Sequence, residues 1–256
     1  MQVLALLAFS VAVMAEMPTY PQRIVGGTVT TIDRYPTVAS CLFSSNLVNY
    51  TQICVGSILN ERSVLTAAHC TYGDTAKNWR FRVGSTYANS GGVVHHVKQI
   101  IQHPTFNVAA PADNDFAILR SSTFILFNKN VKPVSIAGNN YILADNQPVR
   151  AAGWGLIFEE GPFSEELRHV LMLSVNQDIC KRPYASVGII ITDNMLCSGV
   201  FNVGGRDQCQ QDSGGPLYHN GVLVGVCSFG FGCARAQFPG VNARVSRAST
   251  WIRQNA

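Results

Sequence analysis

Short apolar runs separated by Gly, Asn, Asp and Pro dominate the sequence and constrain its fold most strongly. Residues 64–66, 116–119 and 222–226 are such runs, and each is too short to form a typical helix. The Asn-Gly pair at residues 220–221 precedes the last run and is typical of a hairpin turn. Many short strands with this punctuation predict an all-β barrel or sandwich.

The length of the chain allows more than one core. Its 256 residues suffice for one large or two medium cores. Asn and Lys interrupt the apolar pattern at residues 127–134, so we expect two β domains of similar size. Only residues 246–254 have the spacing of a helix, and Ser246 is its candidate cap.

Composition and charge exclude several classes of protein. Charged residues make up 13% of the chain, which argues against disorder and against a coiled coil. The net charge is only +4 and the basic residues are scattered rather than gathered in a stripe. We therefore expect no nucleic-acid partner.

The N-terminal residues 1–15 read as a secretory signal peptide. An apolar run ends in a small-residue pattern at Val13-Met14-Ala15, although the usual Lys or Arg before the run is missing. The run is too short to span a membrane well, and no later stretch could span one. We expect a secreted, soluble protein with no membrane partner.

The eight cysteines lie at positions 41, 54, 70, 180, 197, 209, 227 and 233. An even number behind a signal peptide predicts disulfides, but eight cysteines allow 105 pairings. A metal site is the alternative, but no Cys-x-x-Cys pair occurs and no histidine pair has metal-ligand spacing. We expect no metal and no cofactor.

Three segments carry residues suited to chemistry. His69 ends one apolar run, Asp115 begins another, and Ser213 lies in an Asp-Ser-Gly-Gly-Pro turn. Each segment alone has a structural explanation: a histidine beside a disulfide, an acid at a turn, a glycine-rich turn before a strand. Together they supply a nucleophile, a base that activates it and a carboxylate that orients the base.

Five motifs in this order resemble the chymotrypsin–trypsin family. They are Ile-Val-Gly-Gly at residues 24–27, Ala-Ala-His-Cys at 67–70, residues 113–119, Gly-Trp-Gly at 153–155 and Asp-Ser-Gly-Gly-Pro at 212–216. Residues 206–210 and 226–230 are similar to those of lepidopteran midgut trypsins. The resemblance implies two antiparallel six-stranded β-barrels, residues 24–133 and 134–256, with the active site in the cleft between them and a short C-terminal helix.

The resemblance also implies the roles of the site residues. Ser213 is the nucleophile, His69 the general base and then general acid, and Asp115 orients His69. Asp207 lies at the base of the primary pocket. The pocket is further formed by Ser228, which lies on the strand that binds substrate backbone, and by Gly230 and Gly240, whose missing side chains leave room. A carboxylate there predicts cleavage after Arg or Lys.

Gln211 departs from the family pattern, which has Gly at this position. The backbone N–H groups of Gln211 and Ser213 are the implied oxyanion hole, and the Gly adopts a positive φ. Gln211 must therefore accept strain or flip its peptide, and a flip removes one donor. We expect a weakened but real peptidase; the alternative is an inactive homologue that binds protein in its cleft.

Activation is predicted at the Arg23-Ile24 bond. Residues 16–23 resemble a propeptide, and cleavage after Arg23 frees an ammonium group on Ile24. The resemblance implies that this group pairs with Asp212, next to Ser213, and so switches the site on. The protein would then be a digestive zymogen of the gut lumen, a monomer whose partners are protein or peptide substrates and protein protease inhibitors.

The family's disulfides map onto three cysteine pairs of this chain. They are Cys54–Cys70, Cys180–Cys197 and Cys209–Cys233. Cys41 and Cys227 match no family disulfide, and they fall in different predicted barrels. We expect both to be buried free thiols that pack as small apolar residues.

Overall fold

A computed structural model describes residues 24–256. The predicted signal peptide (1–15) and propeptide (16–23), with Arg23, lie outside these residues. The first barrel is antiparallel, and its strands are β2 (Val38–Phe43), β3 (Thr51–Ile58), β4 (Ser63–Thr66), β5 (Trp79–Val83), β6 (Val93–Gln102) and β7 (Ala117–Ser121). Their order is β2-β3-β4-β7-β6-β5, and pairing of β5 with β2 closes the ring.

The second barrel is also closed and antiparallel. Its strands are β9 (Pro148–Gly153), β10 (Arg168–Val175), β11 (Met195–Gly199), β12 (Pro216–His219), β13 (Val222–Phe229) and β14 (Gly240–Arg244). Their order is β9-β10-β11-β14-β13-β12, and β12 pairs back onto β9. The predicted fold of two six-stranded barrels is confirmed, as is the hairpin at residues 220–221.

Two short strands extend the second sheet. β1 (Thr28–Val29) pairs with β10, although it precedes the first barrel in the chain. β8 (Ser135–Ile136) pairs with β13 in parallel. The start of the described chain is therefore held by the second barrel, and this places residues 24–27 next to the chemistry described below.

Strand β5 shows how alternation builds the core of the first barrel. Trp79, Phe81 and Val83 point inward and are almost fully buried, whereas the intervening Arg80 and Arg82 are only partly buried. Side chains of a strand alternate between its two faces, so one apolar face is enough to line a barrel. Each such buried side chain contributes about 1.5–3 kcal/mol by leaving water.

Within residues 24–256, three α-helices connect or end the strands, and only the C-terminal one was predicted from the sequence. The C-terminal helix expected at residues 246–254 is α3 (Val245–Asn255), which begins after Arg244, so Ser246 lies in its first turn and is not its cap. α1 (Ala68–Thr71) is a single turn, followed by a 3₁₀ turn at Ala76–Asn78.

Helix α2 (Gln177–Ser186) was not predicted from the sequence. The side chain of Asn176 caps it by accepting hydrogen bonds from the N–H groups of Asp178 and Ile179. Pro183 lies inside the helix and only Cys180 and Tyr184 are buried, so an apolar period was hard to see. The prediction that only the C-terminal end is helical was wrong for this reason.

One hydrophobic cluster spans both barrels. This cluster contains Val55, Leu65 and Phe116 from the first barrel and its edge. It also contains Leu217 and Val226 from the second barrel. Apolar burial across the barrel interface fixes how the barrels sit, because interiors are close-packed. The groups carried at this interface are therefore held in a defined geometry.

The three expected disulfides are present: Cys54–Cys70, Cys180–Cys197 and Cys209–Cys233. Cys41 and Cys227 are free. Cys41 is buried as expected, but Cys227 is partly exposed, and the prediction that both are buried was wrong for Cys227. The reason is that Cys227 lines a cavity beside β13.

Within the described residues, no helix is long and apolar enough to cross a membrane.

Candidate active site

His69 and Asp115 meet because the strands before and after them are paired. Thr66 ends β4 and faces Ala117, the first residue of β7, so His69 follows one strand and Asp115 precedes the other at the same edge. The His69 N–H donates to Asp115 Oδ1 at 2.8 Å, and His69 Nδ1 lies 2.6 Å from Asp115 Oδ2. A carboxylate only accepts hydrogen bonds, so Nδ1 carries the proton and Nε2 is left free to act as a base.

Asp115 is fully buried, whereas the His69 side chain is 35% exposed. Ser228 on β13 donates its hydroxyl hydrogen bond to the same Oδ2 atom, at 2.5 Å. Asp115 thus accepts from groups on both barrels. Three donors around one buried carboxylate satisfy it in place and fix the ring of His69.

Ser213 lies in the turn before β12, where the second barrel touches the first. Its carbonyl accepts from the Val55 N–H at 2.8 Å. The next residue, Gly214, has φ +78°, and a Cβ there would lie 2.1 Å from Thr66 Oγ1. Only glycine lets this turn approach the first barrel so closely, so the Gly that follows Ser213 positions it.

The structure places Ser213 and Ser228 in the wall of one cavity and joins Ser228 to the Asp115–His69 pair. Among residues 24–256, no hydrogen bond joins Ser213 to His69. Hydrogen bonds of this kind are often long in proteins without substrate and tighten only in the complex.

Gln211 adopts φ +70°, so it accepts the left-handed conformation that its predicted role demands. Its carbonyl oxygen accepts a hydrogen bond of 2.9 Å from Gln52 Nε2. Neither the Gln211 N–H nor the Ser213 N–H donates to another residue of the described chain. Of the two outcomes expected for Gln211, the structure has the strained left-handed backbone and not the flipped peptide.

The cavity beside Ser213 has a volume of about 230 Å³. All four residues predicted for the pocket line it: Asp207, Ser228, Gly230 and Gly240. A Cβ at Gly240 would lie 2.4 Å from Asp207 Oδ1, so glycine keeps this carboxylate accessible from the cavity. Cys227 also lines the cavity, and this explains its partial exposure.

Asp207 is buried, with its carboxylate accepting from the N–H groups of Gln208 (2.9 Å) and Ala234 (3.0 Å). Burial raises the pKa of Asp207 to about 7, the two N–H donors oppose this, and the charge of Asp212 adds to it. An uncompensated acid is costly in such a place, so a cation entering the cavity would be bound strongly.

Asp212 is likewise buried and has no cationic partner among the described residues. It accepts from the N–H groups of Gly155 and Cys209, at 2.8 and 3.1 Å. Burial raises the pKa of Asp212 to about 7 despite these donors. Ile24 is fully buried too, and the Val25 carbonyl accepts from the Asp207 N–H at 3.1 Å, which docks the start of the described chain beside the pocket.

Gln52 and Cys227 belong to the site but were not among the residues predicted from the sequence. Gln52 holds the carbonyl of Gln211, and Cys227 forms part of the cavity wall. Gln52 lies on β3 and Gln211 in a distant turn, so no local spacing could have paired them. Cys227 adjoins the predicted Ser228, and that adjacency was the available signal.

A histidine and a serine in the cleft between two β-barrels, with a buried carboxylate on the histidine, define a class of serine peptidases. The family model described as Trypsin matches residues 24–252. The chain is 60% identical to trypsin, alkaline A of Manduca sexta over 253 residues, 99% of this chain and 98% of that protein. It is 58% identical to trypsin CFT-1 of Choristoneura fumiferana over the same shares, and 49% identical to achelase-1 of Lonomia achelous over 91% of this chain and 100% of that protein.

The chain belongs to the trypsin family. It is a trypsin-like serine protease by family, and the resemblance to lepidopteran trypsins is confirmed.

Proposed function

We propose that the protein is a secreted digestive endopeptidase that hydrolyses peptide bonds after Arg or Lys. One observation carries the proposal: the cavity that Ser213 lines has the carboxylate of Asp207 in its wall and Ser228, which is bonded to the Asp115–His69 pair, beside it. When Asp207 binds the cationic side chain of a substrate residue, the backbone carbonyl of that same residue lies near Ser213.

Catalysis proceeds in two steps, formation of an acyl-enzyme and its hydrolysis. Ser213 Oγ attacks the carbonyl carbon as His69 Nε2 takes its proton, and His69 then gives that proton to the leaving amine as the C–N bond breaks. Water, deprotonated by the same nitrogen, attacks the ester, and His69 returns the proton to Ser213 Oγ as the ester C–O bond breaks. Asp115 holds the ring through Nδ1 and stabilises the imidazolium that forms in each step.

The oxyanion of each tetrahedral intermediate is stabilised by the N–H groups of Gln211 and Ser213. Both are without a partner among the described residues, and Gln211 has the backbone conformation that presents such a donor. One such donor is worth about 10²–10³ in rate. This favours activity over the second candidate function, an inactive homologue, which the Gln at position 211 would otherwise support.

The buried carboxylate of Asp212 supports activation by cleavage at Arg23-Ile24. Residues 1–15 are removed as a signal peptide and residues 16–23 as a propeptide. The new ammonium group of Ile24 then supplies the cation that Asp212 lacks in the described chain. Pairing stabilises the turn with Gln211 and Ser213, because a buried carboxylate without a partner is costly. Residues 24–133 and 134–256 form the two domains of the mature enzyme.

The setting that fits these groups is alkaline. Relatives from Manduca sexta carry the word alkaline in their names. Before a cation is bound, burial raises the pKa values of Asp207 and Asp212 to about 7, so both carboxyl groups are ionised above that pH and can receive one. We infer a monomer secreted into the gut lumen that takes dietary protein as substrate and meets protein protease inhibitors there.

The experiment is an assay of the recombinant chain after cleavage at Arg23, with arginyl, lysyl and phenylalanyl anilides. We expect hydrolysis of the first two only. Ser213→Ala is the control and should lose about 10⁴-fold or more in kcat. A folded, cleaved wild type no faster than Ser213→Ala would overturn the proposal in favour of the inactive homologue.

A further inference from the structure

A second buried carboxylate, Asp113, lies two residues before Asp115 and takes no part in the mechanism above. It is 1% exposed. Its Oδ1 atom accepts from the Thr192 hydroxyl at 2.5 Å and from Asn194 Nδ2 at 3.1 Å. Its Oδ2 atom accepts from Asn194 Nδ2 at 3.1 Å and from Asn114 Nδ2 at 2.9 Å.

Thr192 and Asn194 belong to the second barrel, in the turn before β11. This turn is itself firmly held: the Thr192 carbonyl accepts from Gln177 Nε2 at 2.7 Å, and the Asn194 carbonyl accepts from the Arg244 N–H at 2.7 Å. Helix α2 and strand β14 therefore support the surface on which Asp113 docks. The carboxylate joins the loop before β7 to a rigid part of the other barrel.

The loop around Asp113 needs such support because its backbone is strained. Ala112 has φ +58° and Asn114 has φ +53°, so both neighbours of Asp113 are in the left-handed region. Asparagine tolerates this conformation, but alanine is disfavoured there by about 1–2 kcal/mol. Strain of this kind persists only where the surrounding bonds determine the conformation.

Two alternate side chains of one short segment thus bind the second barrel. Asp115 accepts from Ser228, and Asp113 accepts from Thr192 and Asn194. With both ends of the segment 113–115 attached, the backbone of Asp115 cannot move away from β13. His69, bonded to Asp115 through two atoms, depends on this placement.

We propose that Asp113 is a positioning residue for catalysis: its carboxylate docks the strained loop on Thr192 and Asn194 and thereby sets Asp115 and His69 in their reactive geometry. The inference deepens the proposed peptidase function and rests on it. It assigns to the Asp113–Thr192–Asn194 cluster a role in kcat and not only in stability.

The test compares Asp113→Asn, Asn194→Ala and the double variant on an arginyl anilide, per active site titrated. We expect kcat to fall about 10-fold in each, because small displacements of catalytic groups are costly, while KM changes less than about 2-fold. The double variant should resemble the single ones, since both remove the same link. Asp193→Ala, which removes an exposed carboxylate next to Asn194, is the matched control and should leave kcat unchanged.

Two readouts keep the outcomes distinct. The Nδ1 proton of His69, in its 2.6 Å hydrogen bond, should resonate far downfield in the wild type and shift or broaden in Asn194→Ala. Unchanged kcat and an unchanged proton signal in Asn194→Ala would overturn the proposal, even if thermal stability falls. If Asp113→Asn does not fold, kcat and the proton signal of Asn194→Ala and Thr192→Val test the positioning role instead. An inactive wild type would refute the proposed function instead, and the proton signal would then show only whether Asp113 fixes the geometry of the His69–Asp115 pair.

Discussion

The side-chain amide of Gln52 donates a hydrogen bond of 2.9 Å to the backbone oxygen of Gln211. Gln52 lies on the first barrel and Gln211 in the turn of the second that leads to Ser213. The bond fixes the peptide after Gln211, and the Gln211 N–H donates to no other residue of the described chain. Gln211, which stands where the family has Gly, is thus held in the left-handed conformation expected of that Gly.

Gln211→Gly should therefore have a modest effect on rate and a clear one on stability. Glycine adopts the left-handed backbone of position 211 without strain, so the free energy of unfolding should rise by about 1 kcal/mol. The donor is already presented, so kcat should rise by less than about 10-fold, against the 10²–10³ expected if the peptide were flipped. Denaturant unfolding and anilide kinetics measure the two quantities.

Leu47→Gly is the control for Gln211→Gly, since Leu47 has φ +61° in an exposed loop. It should raise stability without changing kcat. A gain of 10²-fold or more for Gln211→Gly would show that the wild-type oxyanion hole lacks a donor.

Asp207→Asn should remove the preference for Arg and Lys. The buried carboxylate is the anionic group of the cavity wall that a guanidinium can reach. Loss of one partner of a buried charge pair lowers kcat/KM for an arginyl anilide by about 10²-fold or more, and a phenylalanyl anilide should be affected far less. Asp178→Asn, on the exposed face of α2, is the matched control. Equal losses on both substrates would contradict the assigned pocket.

The stability of the uncleaved chain should fall between about pH 4 and about pH 7. Burial raises the pKa of Asp212 from 3.8 to about 7, so in this window the folded chain keeps a proton that the unfolded chain releases. The unfolded state then binds fewer protons, and the free energy of unfolding decreases as pH rises.

In an uncleavable Arg23→Gln chain, the further change Asp212→Asn should reduce the fall of the free energy of unfolding with pH. The reduction should be partial, since Asp207 titrates in the same direction. Denaturant titrations across the window measure the slope. Parallel curves for the two uncleavable chains would show that Asp212 does not carry a raised pKa.

The two free cysteines should differ in reactivity. Burial raises the pKa of the Cys41 thiol to about 12, and burial with nearby carboxylates raises that of Cys227 well above its usual value, so both should react slowly in the native protein. Cys227 should react first because it borders the cavity, and a small amidine bound at Asp207 should protect it. Mass spectrometry after alkylation, with Cys227→Ser as control, reads the site. Modification of Cys41 before Cys227 would contradict this order.

The fold could be predicted from the sequence because its evidence is local or carried by motifs. Alternation in β5 and the Asn-Gly turn at residues 220–221 are local signals, and the five motifs indicate the barrel pair. Helix α2 could not be predicted, because Pro183 and a polar face obscure the helical periodicity of its apolar residues.

The site divides in the same way. His69, Asp115 and Ser213 stand in recognisable segments, so their candidacy could be stated from sequence. The bond from Gln52 to Gln211 and the docking of Asp113 on Asn194 join residues far apart in the chain. Such contacts depend on how two barrels pack, and no spacing in the sequence encodes that.

We propose that Ser213 is a nucleophile activated by His69 and Asp115. The direct measurement is labelling of the cleaved protein with a fluorophosphonate, followed by peptide mapping and by rates for His69→Ala. We predict one adduct, on Ser213, formed much more slowly in His69→Ala and absent from Ser213→Ala. No adduct on Ser213 in the folded, cleaved wild type, or an equal rate in His69→Ala, would show that Ser213 is not such a nucleophile.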